Sequence, residues 1–231
     1  MTLPQAPLQP KLLSFDVFGT LISVRDGSYE AFRTILKACS AGHVDVKSFW
    51  EHWEERNIAH YWEPYRRYKD ICQLSLAETL EHFQIRGNPA LIERYFQAFA
   101  AFELYPDVKA ALERLSQDYK LALVSNIDDD LLDATPLGHV FDLRCTAQRA
   151  GGYKPDGTLF RYLLSHAGVP KENILHSGQS QFTDMVGAKP LGIRVAWINR
   201  RNVALHDSVP RPDYILPTVE SLLPLLGIET K

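Results

Sequence analysis

Four short segments of the sequence carry side chains that could perform covalent chemistry, and each follows or joins a stretch of apolar residues. The first is Asp16-Val17-Phe18-Gly19-Thr20, in which a carboxylate is followed by a turn glycine and a hydroxyl. A carboxylate at the end of a buried strand can act as a nucleophile when backbone N–H groups orient it. Residues of these types also form ordinary turns, so the segment is informative only together with the other three.

The second segment ends another apolar run, where Ser125 and Asn126 follow Leu123 and Val124. A hydroxyl and an amide at a strand end, just before a helix that Asp128 can cap, offer hydrogen-bond donors to a carboxylate or a phosphate. The alternative is that both residues simply end the strand. On these two residues alone, the interpretations are equally supported.

The third and fourth segments add a cation and a second acid. Lys154, in Gly-Gly-Tyr-Lys-Pro-Asp, could neutralise the repulsion between Asp16 and an anionic substrate. Asp184 ends the stretch Ser-Gly-Gln-Ser-Gln-Phe-Thr-Asp and could hydrogen-bond Lys154 or position a water molecule for hydrolysis. Each also has an ordinary interpretation, as a solvated lysine and as an acid favoured by a helix N-terminus.

The elements that position these residues alternate between strand and helix. Apolar runs predict strands at 12–16, 121–125, 141–145, 173–177, 193–198 and 213–216. Helical patterns occur near 107–118, 128–135, 156–167, 181–190 and 217–226. The alternation predicts an α/β fold with a doubly wound parallel sheet covered by helices on both faces. Such sheets bind ligands at the carboxyl ends of their strands, where Asp16, Ser125 and the 177–184 stretch lie.

Between about residue 28 and residue 102 the pattern is helical only. Aromatic residues recur at helical spacing, as at Phe49, Trp50 and Trp53, and we expect a helical insertion in the sheet domain. Its aromatic side chains are expected mainly to pack against each other, and the alternative is that they wall a dry pocket. The residues in question are Trp50, Trp53, Tyr61, Trp62, Tyr65 and Tyr68.

Composition narrows the class of protein and of partner. A net charge of −3 without basic clusters argues against nucleic acid, and no apolar run is long enough to span a membrane. The opening MTLPQAPLQPK has no targeting pattern. Three cysteines, Cys39, Cys72 and Cys145, match neither a disulfide framework nor a metal site. We therefore expect a cytoplasmic protein whose partner is a small molecule.

Together, and in this order at these strand ends, the four segments resemble the haloacid dehalogenase superfamily. The likeness covers essentially the whole chain and includes Ala196-Trp-Ile-Asn-Arg200, which is similar to the late strand of the L-2-haloacid dehalogenases. It implies a Rossmann-like core at 1–25 and 104–231, with a helical cap domain at 26–103. Members of this family often dimerise, so a homodimer is a further expectation.

The resemblance also implies roles for individual residues. In the L-2-haloacid dehalogenases the aspartate that matches Asp16 attacks carbon, halide leaves, and water then hydrolyses the aspartyl ester. Thr20 would support Asp16 by hydrogen bonding, Lys154 would be the charge partner, and Asp184 would help to activate water. Ser125 and Asn126 would bind the substrate carboxylate. The other implied substrate-binding residues are Val17, Phe18, Gln179 and Ser180.

Two positions separate the branches of the family. Its phosphatases carry a second Asp two residues after the nucleophile, because an alkoxide leaving group needs a proton, and this chain has Phe18 there. They also usually carry an acid directly after the glycine of the fourth segment, where this chain has Gln179. An amide in place of a carboxylate weakens a Mg²⁺ site. We therefore expect catalysis without a metal or another cofactor, and Mg²⁺ only if the protein is a phosphatase.

The chain also departs from the L-2-haloacid dehalogenases around the substrate. Those enzymes carry an arginine directly after a cap-helix tryptophan, where this chain has Glu54 after Trp53. The nearby arginines that could replace it are Arg56, Arg66 and Arg67. Other positions that differ from the pattern of those enzymes are Phe160, Gln179 and Gln181.

Three classes of function are open at this point. The first is hydrolytic displacement at the carbon alpha to a carboxylate, with an (S)-2-haloacid as the leading substrate and ring opening of L-azetidine-2-carboxylate as a variant. The second is a Mg²⁺-dependent small-molecule phosphatase that retains Asp16, Ser125 and Lys154. The third is a non-catalytic binding protein, which the intact Asp16, Lys154 and Asp184 argue against.

Overall fold

Eight strands are present in the computed structural model, which describes residues 9–138 and 140–229. They are β1 (Leu12–Phe15), β2 (Ile22–Ser23), β3 (Glu103–Leu104), β4 (Lys120–Ser125), β5 (Leu143–Thr146), β6 (Ile174–Gly178), β7 (Arg194–Ile198) and β8 (Tyr214–Leu216). Six of them form one sheet in the order β5-β4-β1-β6-β7-β8, and every adjacent pair is parallel. The order runs outward in both directions from β1, so the ligand-binding crevice lies at the carboxyl ends of β4, β1 and β6.

All six strands predicted for the sheet are present, with bounds shifted by one or two residues. β5 shows the largest shift and begins at Leu143, because Asp142 contacts β4 through its side chain. The Asp142 carboxylate accepts a hydrogen bond from the Leu121 N–H at 2.8 Å, and the Asp142 N–H donates to Leu121 O at 2.8 Å. The predicted parallel, doubly wound sheet is confirmed.

Side chains of the sheet alternate between two hydrophobic clusters, one on each face. In β1, Leu13 and Phe15 belong to one cluster and Leu12 to the other. β4 repeats the pattern, with Leu123 on the first face and Val124 on the second. Each such side chain contributes roughly 1.5–3 kcal/mol by burial. Burial on both faces explains why the central strands β1 and β4 are largely apolar runs in the sequence, whereas the edge strand β8 is partly exposed.

The segment between β2 and β3 is helical, as predicted. Its helices are α1 (Arg25–Ala38), α2 (Val46–Ala59), α3 (Tyr68–His82) and α4 (Glu93–Gln97). β2 and β3 pair in antiparallel fashion, which joins the two ends of this helical segment in a short ribbon. Phe32 packs against Phe49 and Trp53 at its centre. The division of the chain into two domains at these points stays a prediction.

The five helices predicted to flank the sheet are shorter than predicted, and a further one, Ala147–Ala150, was not predicted. They are α5 (Val108–Leu115), α6 (Asp129–Asp133), α7 (Ala147–Ala150), α8 (Thr158–His166), α9 (Val186–Ala188) and α10 (Leu222–Leu225). A π-helical turn (Gln181–Met185) precedes α9, and a 3-10 turn (Lys189–Leu191) follows it. α10 starts late because Ser221 donates its N–H to the Thr218 hydroxyl at 3.3 Å, a local bond that competes with helix formation.

Among the described residues, no helix combines the length and the apolar composition that crossing a membrane requires. The thiols of Cys39, Cys72 and Cys145 are free. Residues 1–8, which form most of the opening stretch used in the targeting argument, lie outside the described residues.

Candidate active site

Asp16 lies directly after β1, where a tight turn presents its carboxylate. Its N–H donates to Ser177 O at 2.9 Å, which continues the pairing of β1 with β6. The turn requires Gly19, whose φ of 84° is unfavourable for other residues. The Thr20 hydroxyl donates to Asp16 Oδ2 at 2.7 Å, which is the contact that the resemblance implied. Asp16 is 8% exposed, and its open side faces a cavity.

Lys154 links the two acids of the site. Its Nζ donates to Asp16 Oδ1 at 2.8 Å, to Asp184 Oδ1 at 2.7 Å and to Val124 O at 2.9 Å. These bonds use all three donors of the ammonium group, and the side chain is only 1% exposed. Lys154 therefore orients Asp16 and balances its charge, but it has no donor left for a substrate.

Asp184 is fully buried and connects to a network behind the site. His176 Nε2 lies 3.2 Å from Asp184 Oδ1, and His176 Nδ1 lies 3.0 Å from Ser14 Oγ. The Ser180 N–H donates to Asp184 Oδ2 at 3.0 Å. Because Asp184 does not line the cavity, its contact with the reacting groups runs through Lys154, and its role in activating water stays a prediction.

His176 is a residue whose contact with the site sequence reasoning missed. The sequence indicates this contact only indirectly. Ser14 and His176 meet because they occupy paired positions of the adjacent strands β1 and β6. Such a pairing becomes visible only when the strand order is known, because 162 residues separate the two positions.

Burial and charge together set the protonation of the three groups. Burial raises the pKa of Asp16, and the Lys154 ammonium opposes this effect only in part. Burial would lower the pKa of Lys154, but the carboxylates of Asp16 and Asp184 raise it above its usual value. Burial would likewise raise the pKa of Asp184, but the Lys154 charge and the hydrogen bond from His176 hold it well below its usual range. Asp16 is therefore the acid of the pair whose ionisation responds first as the pH falls.

A cavity of about 580 Å³ opens in front of Asp16. Five of the six residues predicted to bind substrate line it: Phe18, Ser125, Asn126, Gln179 and Ser180. Val17 is not among the lining residues, and its role in substrate binding stays a prediction. The turn after β1 directs Val17 into the hydrophobic core, where it is fully buried, and its carbonyl accepts a hydrogen bond from the Leu21 N–H at 2.8 Å.

Ser125 and Asn126 differ in what they offer to a ligand. Ser125 Oγ is buried and has no hydrogen-bond partner among the described residues, so an unpaired hydroxyl lies at the cavity wall. The Asn126 amide is already bonded to the backbone of Lys154: Nδ2 donates to Lys154 O at 2.9 Å, and Oδ1 accepts from the Lys154 N–H at 2.8 Å. The amide thus holds Lys154 in place, and because Nδ2 carries a second N–H, the contact of Asn126 with a substrate carboxylate stays a prediction.

The arginines considered as replacements at the substrate lie elsewhere, so that prediction is wrong. Each faces an acid outside the cavity: Arg56 faces Glu78 at 2.7 Å, Arg66 faces Glu63 at 3.4 Å and Arg67 faces Asp128 at 3.6 Å. The cavity is lined by three other arginines, Arg25, Arg200 and Arg201. The tertiary structure explains why these three arginines do not reach the cavity. Arg56 lies on the side of α2 that faces away from the cavity. Arg66 and Arg67 lie just before α3, where each is next to an acidic residue.

Arg200 is built into the cavity wall, whereas Arg25 and Arg201 are available. Arg200 donates to Asp107 Oδ1 at 2.7 Å and to Thr20 O at 2.8 Å. Asp107, predicted to start α5, uses its carboxylate for this pair and does not cap the helix. Arg25 and Arg201 form no ion pair among the described residues. They supply the cavity with two cations for an anionic substrate group.

The helical segment contributes an aromatic wall. Its members, most of which were also predicted as packing residues, are Trp50, Trp53, Tyr61, Tyr68 and Tyr95. They are almost fully buried, so the same side chains both pack and line the cavity. Trp62 and Tyr65 do not line the cavity; Trp62 is exposed, and the Tyr65 ring lies 5.6 Å from the ring of Tyr153. Glu54, which lies on α2 among these aromatics, is the acidic exception on this wall.

The acids of the site do not fit a Mg²⁺ ion. Magnesium prefers several oxygen ligands in octahedral geometry. Asp16 and Asp184 both accept hydrogen bonds from the Lys154 ammonium, so a cation already occupies the space between them. Gln179 offers only an amide. Across residues 9–138 and 140–229, no group of three or more His, Cys, Asp or Glu side chains could hold a metal.

Comparison with known proteins agrees with this geometry. A family model described as haloacid dehalogenase-like hydrolase matches residues 10–192. Haloacetate dehalogenase H-2 of Moraxella sp. (strain B) is 22% identical over 227 residues, which cover 94% of this chain and 97% of that protein. An (S)-2-haloacid dehalogenase of Pseudomonas fluorescens is 23% identical, with coverage of 87% and 90%. The L-2-haloacid dehalogenase structure from Xanthobacter autotrophicus has the same fold, with a TM-score of 0.79 at 21% identity and coverage of 95% and 99%.

Proposed function

We propose that this chain, which belongs to the haloacid dehalogenase-like hydrolase family, displaces a leaving group from the carbon alpha to a carboxylate. The substrates that we favour are (S)-2-haloacids, because three of its relatives are named (S)-2-haloacid dehalogenases. One observation carries the proposal. Asp16 faces the cavity with its two oxygens held by Lys154 and Thr20, whereas Phe18 stands where a phosphatase needs an acid.

The reaction follows from this arrangement in two steps. Asp16 attacks the alpha carbon, the carbon–halogen bond breaks, and the halide takes the bonding electrons without needing a proton. Water then attacks the carbonyl carbon of the Asp16 ester, which restores the carboxylate and releases a 2-hydroxy acid and a proton. Lys154 balances the charge on Asp16 in both steps, and the unpaired hydroxyl of Ser125 is the group that we assign to the substrate carboxylate.

The covalent Asp16 ester of the proposed reaction can be tested by substitution and by isotope labelling. Asp16→Asn keeps the volume of the side chain but removes the nucleophile, and we expect turnover to fall by about 10⁴-fold or more. The exposed Asp118→Asn serves as the matched control and should keep full activity. In a single turnover in H₂¹⁸O, mass spectrometry should find the label in the Asp16 carboxylate. Label in the product alone would mean direct attack by water and would contradict this role of Asp16.

A small substrate panel without added metal tests the leaving group. It contains (S)- and (R)-2-chloropropionate, fluoroacetate, azetidine-2-carboxylate and p-nitrophenyl phosphate. We expect chloride release from the (S) isomer to persist in EDTA, since no cofactor takes part in the proposed steps. Turnover of the phosphate ester alone, and only with Mg²⁺, would favour the phosphatase instead.

We also propose that the protein is cytoplasmic and that its partner is a small carboxylate. The three free thiols support a reducing compartment. Arg25 and Arg201 support an anionic ligand, because both line the cavity and neither forms an ion pair among the described residues.

A further inference from the structure

Glu54 occupies the centre of the α2 surface that lines the cavity. The lining residues of this helix are Trp50, Trp53, Glu54, Asn57 and Ile58, which recur with helical spacing and therefore share one face. The strand ends contribute Asp16, Ser125 and Gln179 to the same cavity. A substrate in this cavity thus lies between Asp16 and the α2 face.

Attack at a saturated carbon fixes where the leaving group must be. The nucleophile approaches from one side, and the bond that breaks lies on the opposite side of the carbon. When Asp16 attacks from the strand ends, the leaving atom therefore points toward the helical wall. A polar group of that wall is in position to act on the leaving atom.

The polar side-chain groups that α2 supplies to the wall are the carboxyl of Glu54, the amide of Asn57 and the indole N–H of Trp50, and the only acid among them is Glu54. Asn57 Oδ1 accepts from the Tyr61 hydroxyl at 2.7 Å, and Asn57 Nδ2 donates to Cys72 Sγ at 3.5 Å. The Glu54 carboxylate forms neither a hydrogen bond nor an ion pair within residues 9–138 and 140–229. A free carboxyl group is thus placed on the side from which the leaving atom departs.

The surroundings of Glu54 allow it to carry a proton near neutral pH. Desolvation by the surrounding protein raises the pKa of Glu54 to about 7, although part of its side chain stays exposed to solvent; the cations Arg25 and Arg201 oppose this rise, and Glu51 on the same helix adds to it. The other charged residues that line the cavity are Asp16, Asp26, Lys154 and Arg200. An acid whose pKa lies near the working pH is suited to proton transfer.

We propose that Glu54 is a catalytic acid that protonates the leaving atom, so that the site also opens strained cyclic ethers whose ring oxygen is bonded to the carbon alpha to a carboxylate. The inference rests on the proposed function, because it needs Asp16 as the nucleophile. A halide leaves as a weak base and does not need the proton. An alkoxide or an amide ion is a strong base and does need it.

The step balances for oxirane-2-carboxylate, the simplest such ring. Asp16 forms a bond to C2, the C2–O bond breaks, and the ring oxygen takes the electron pair together with the Glu54 proton. Water then hydrolyses the Asp16 ester, which leaves a hydroxyl on C2 and releases a proton that restores Glu54. The product is 2,3-dihydroxypropanoate, and one water molecule is consumed.

The test compares Glu54→Gln with the wild type on oxirane-2-carboxylate and on (S)-2-chloropropionate. We expect kcat for ring opening to fall by roughly 10²–10⁴-fold, the usual contribution of a positioned acid. The loss on chloropropionate should be at least about tenfold smaller, since chloride leaves unprotonated. Glu55→Gln is the matched control, because Glu55 lies on the same helix, is exposed and does not line the cavity.

A pH profile gives a second readout. Only protonated Glu54 can donate, so wild-type ring opening should decline as the pH rises above about 7, and Glu54→Gln should lack this decline. Circular dichroism of each variant checks that it is folded.

The outcomes separate the inference from the function on which it rests. Chloride release without ring opening by the wild type would overturn the role of Glu54 and leave Asp16 in place. An equal loss on both substrates in Glu54→Gln would also overturn it. Ring opening that survives Asp16→Asn, or no turnover of either substrate by the wild type, would overturn the proposed function and this inference with it.

Discussion

The two oxygens of the Asp16 carboxylate are held by different donors, and this determines how the acid responds to pH. Lys154 donates to Oδ1 and Thr20 to Oδ2. Both bonds favour the ionised form, whereas burial disfavours it and raises the pKa of Asp16 overall. The nucleophile is therefore lost by protonation at a higher pH than for an exposed aspartate.

Thr20→Val tests this balance, because it removes one donor and keeps the shape of the side chain. Without the hydroxyl, the pKa of Asp16 should rise further, so the acid side of the kcat/KM profile should move to higher pH. A hydrogen bond to a charged group is worth roughly 1.5–3 kcal/mol, which corresponds to a loss of about ten- to a hundredfold in rate at most. Thr218→Val, far from Asp16 in sequence and outside the cavity lining, is the control. An unmoved profile would mean that Thr20 does not tune Asp16.

At the scale of elements, the site depends on how closely β6 approaches the turn that follows it. Gly178 ends β6, and a Cβ atom at this position would collide with the Asp184 carboxylate. That carboxylate cannot move aside easily, because it accepts hydrogen bonds from Lys154 and from the Ser180 N–H. A glycine at the strand end therefore permits the contact between the two acids and Lys154.

Gly178→Ala should accordingly displace Asp184. We expect a loss of roughly 1–3 kcal/mol in the free energy of unfolding, as for other overpacked sites, together with a reduced kcat. Urea denaturation and steady-state kinetics measure the two effects. Gly42→Ala is the matched control, because its added Cβ would meet only Lys37 Cγ at 3.9 Å. Wild-type stability and activity in Gly178→Ala would contradict the close packing at this strand end.

At the scale of the whole molecule, Asp128 joins the helical segment to the sheet. Its sequence position, just before α6, predicted a cap for that helix, but its carboxylate caps α3 instead. It accepts from the Tyr68 N–H at 3.2 Å and from the Lys69 N–H at 3.1 Å. Tyr153 adds a second contact, with its hydroxyl donating to Arg66 O at 2.7 Å. These bonds hold α3 against the strand ends.

Asp128→Ala should loosen this connection. Loss of a helix cap costs about 0.5–2 kcal/mol in the free energy of unfolding, and we expect KM to rise because the cavity lies between the parts that separate. Urea denaturation and KM for the best substrate of the panel measure both. Asp130→Ala, which removes an exposed ion pair with Lys69, should change stability by less than about 1 kcal/mol and is the control. Equal effects of the two substitutions would argue against a joining role for Asp128.

The local pattern of apolar residues predicted much of the fold, because the central strands of the sheet are buried on both faces. Continuous apolar runs identified all six strands of the sheet, and alternation with helices identified their parallel arrangement. Helix lengths were less predictable, since side chains compete locally for backbone groups. Thr218 shortens α10 in this way, and Pro190, which has no N–H to donate, lies in the 3-10 turn after α9.

The sequence by itself singled out two acids and one lysine for the site: Asp16 and Asp184 lie at or soon after strand ends, which converge in a parallel sheet, and the family resemblance implied Lys154. Only the tertiary structure decided what those residues contact. In the folded protein, all three donors of Lys154 bond to other protein groups, Arg56 faces away from the cavity, and Glu54 lines the cavity. The physical reason is that the spacing of apolar residues shows only which face of its own helix or strand a residue occupies. The partner of a polar side chain is chosen by contacts across distant parts of the chain, such as the 138 residues between Asp16 and Lys154.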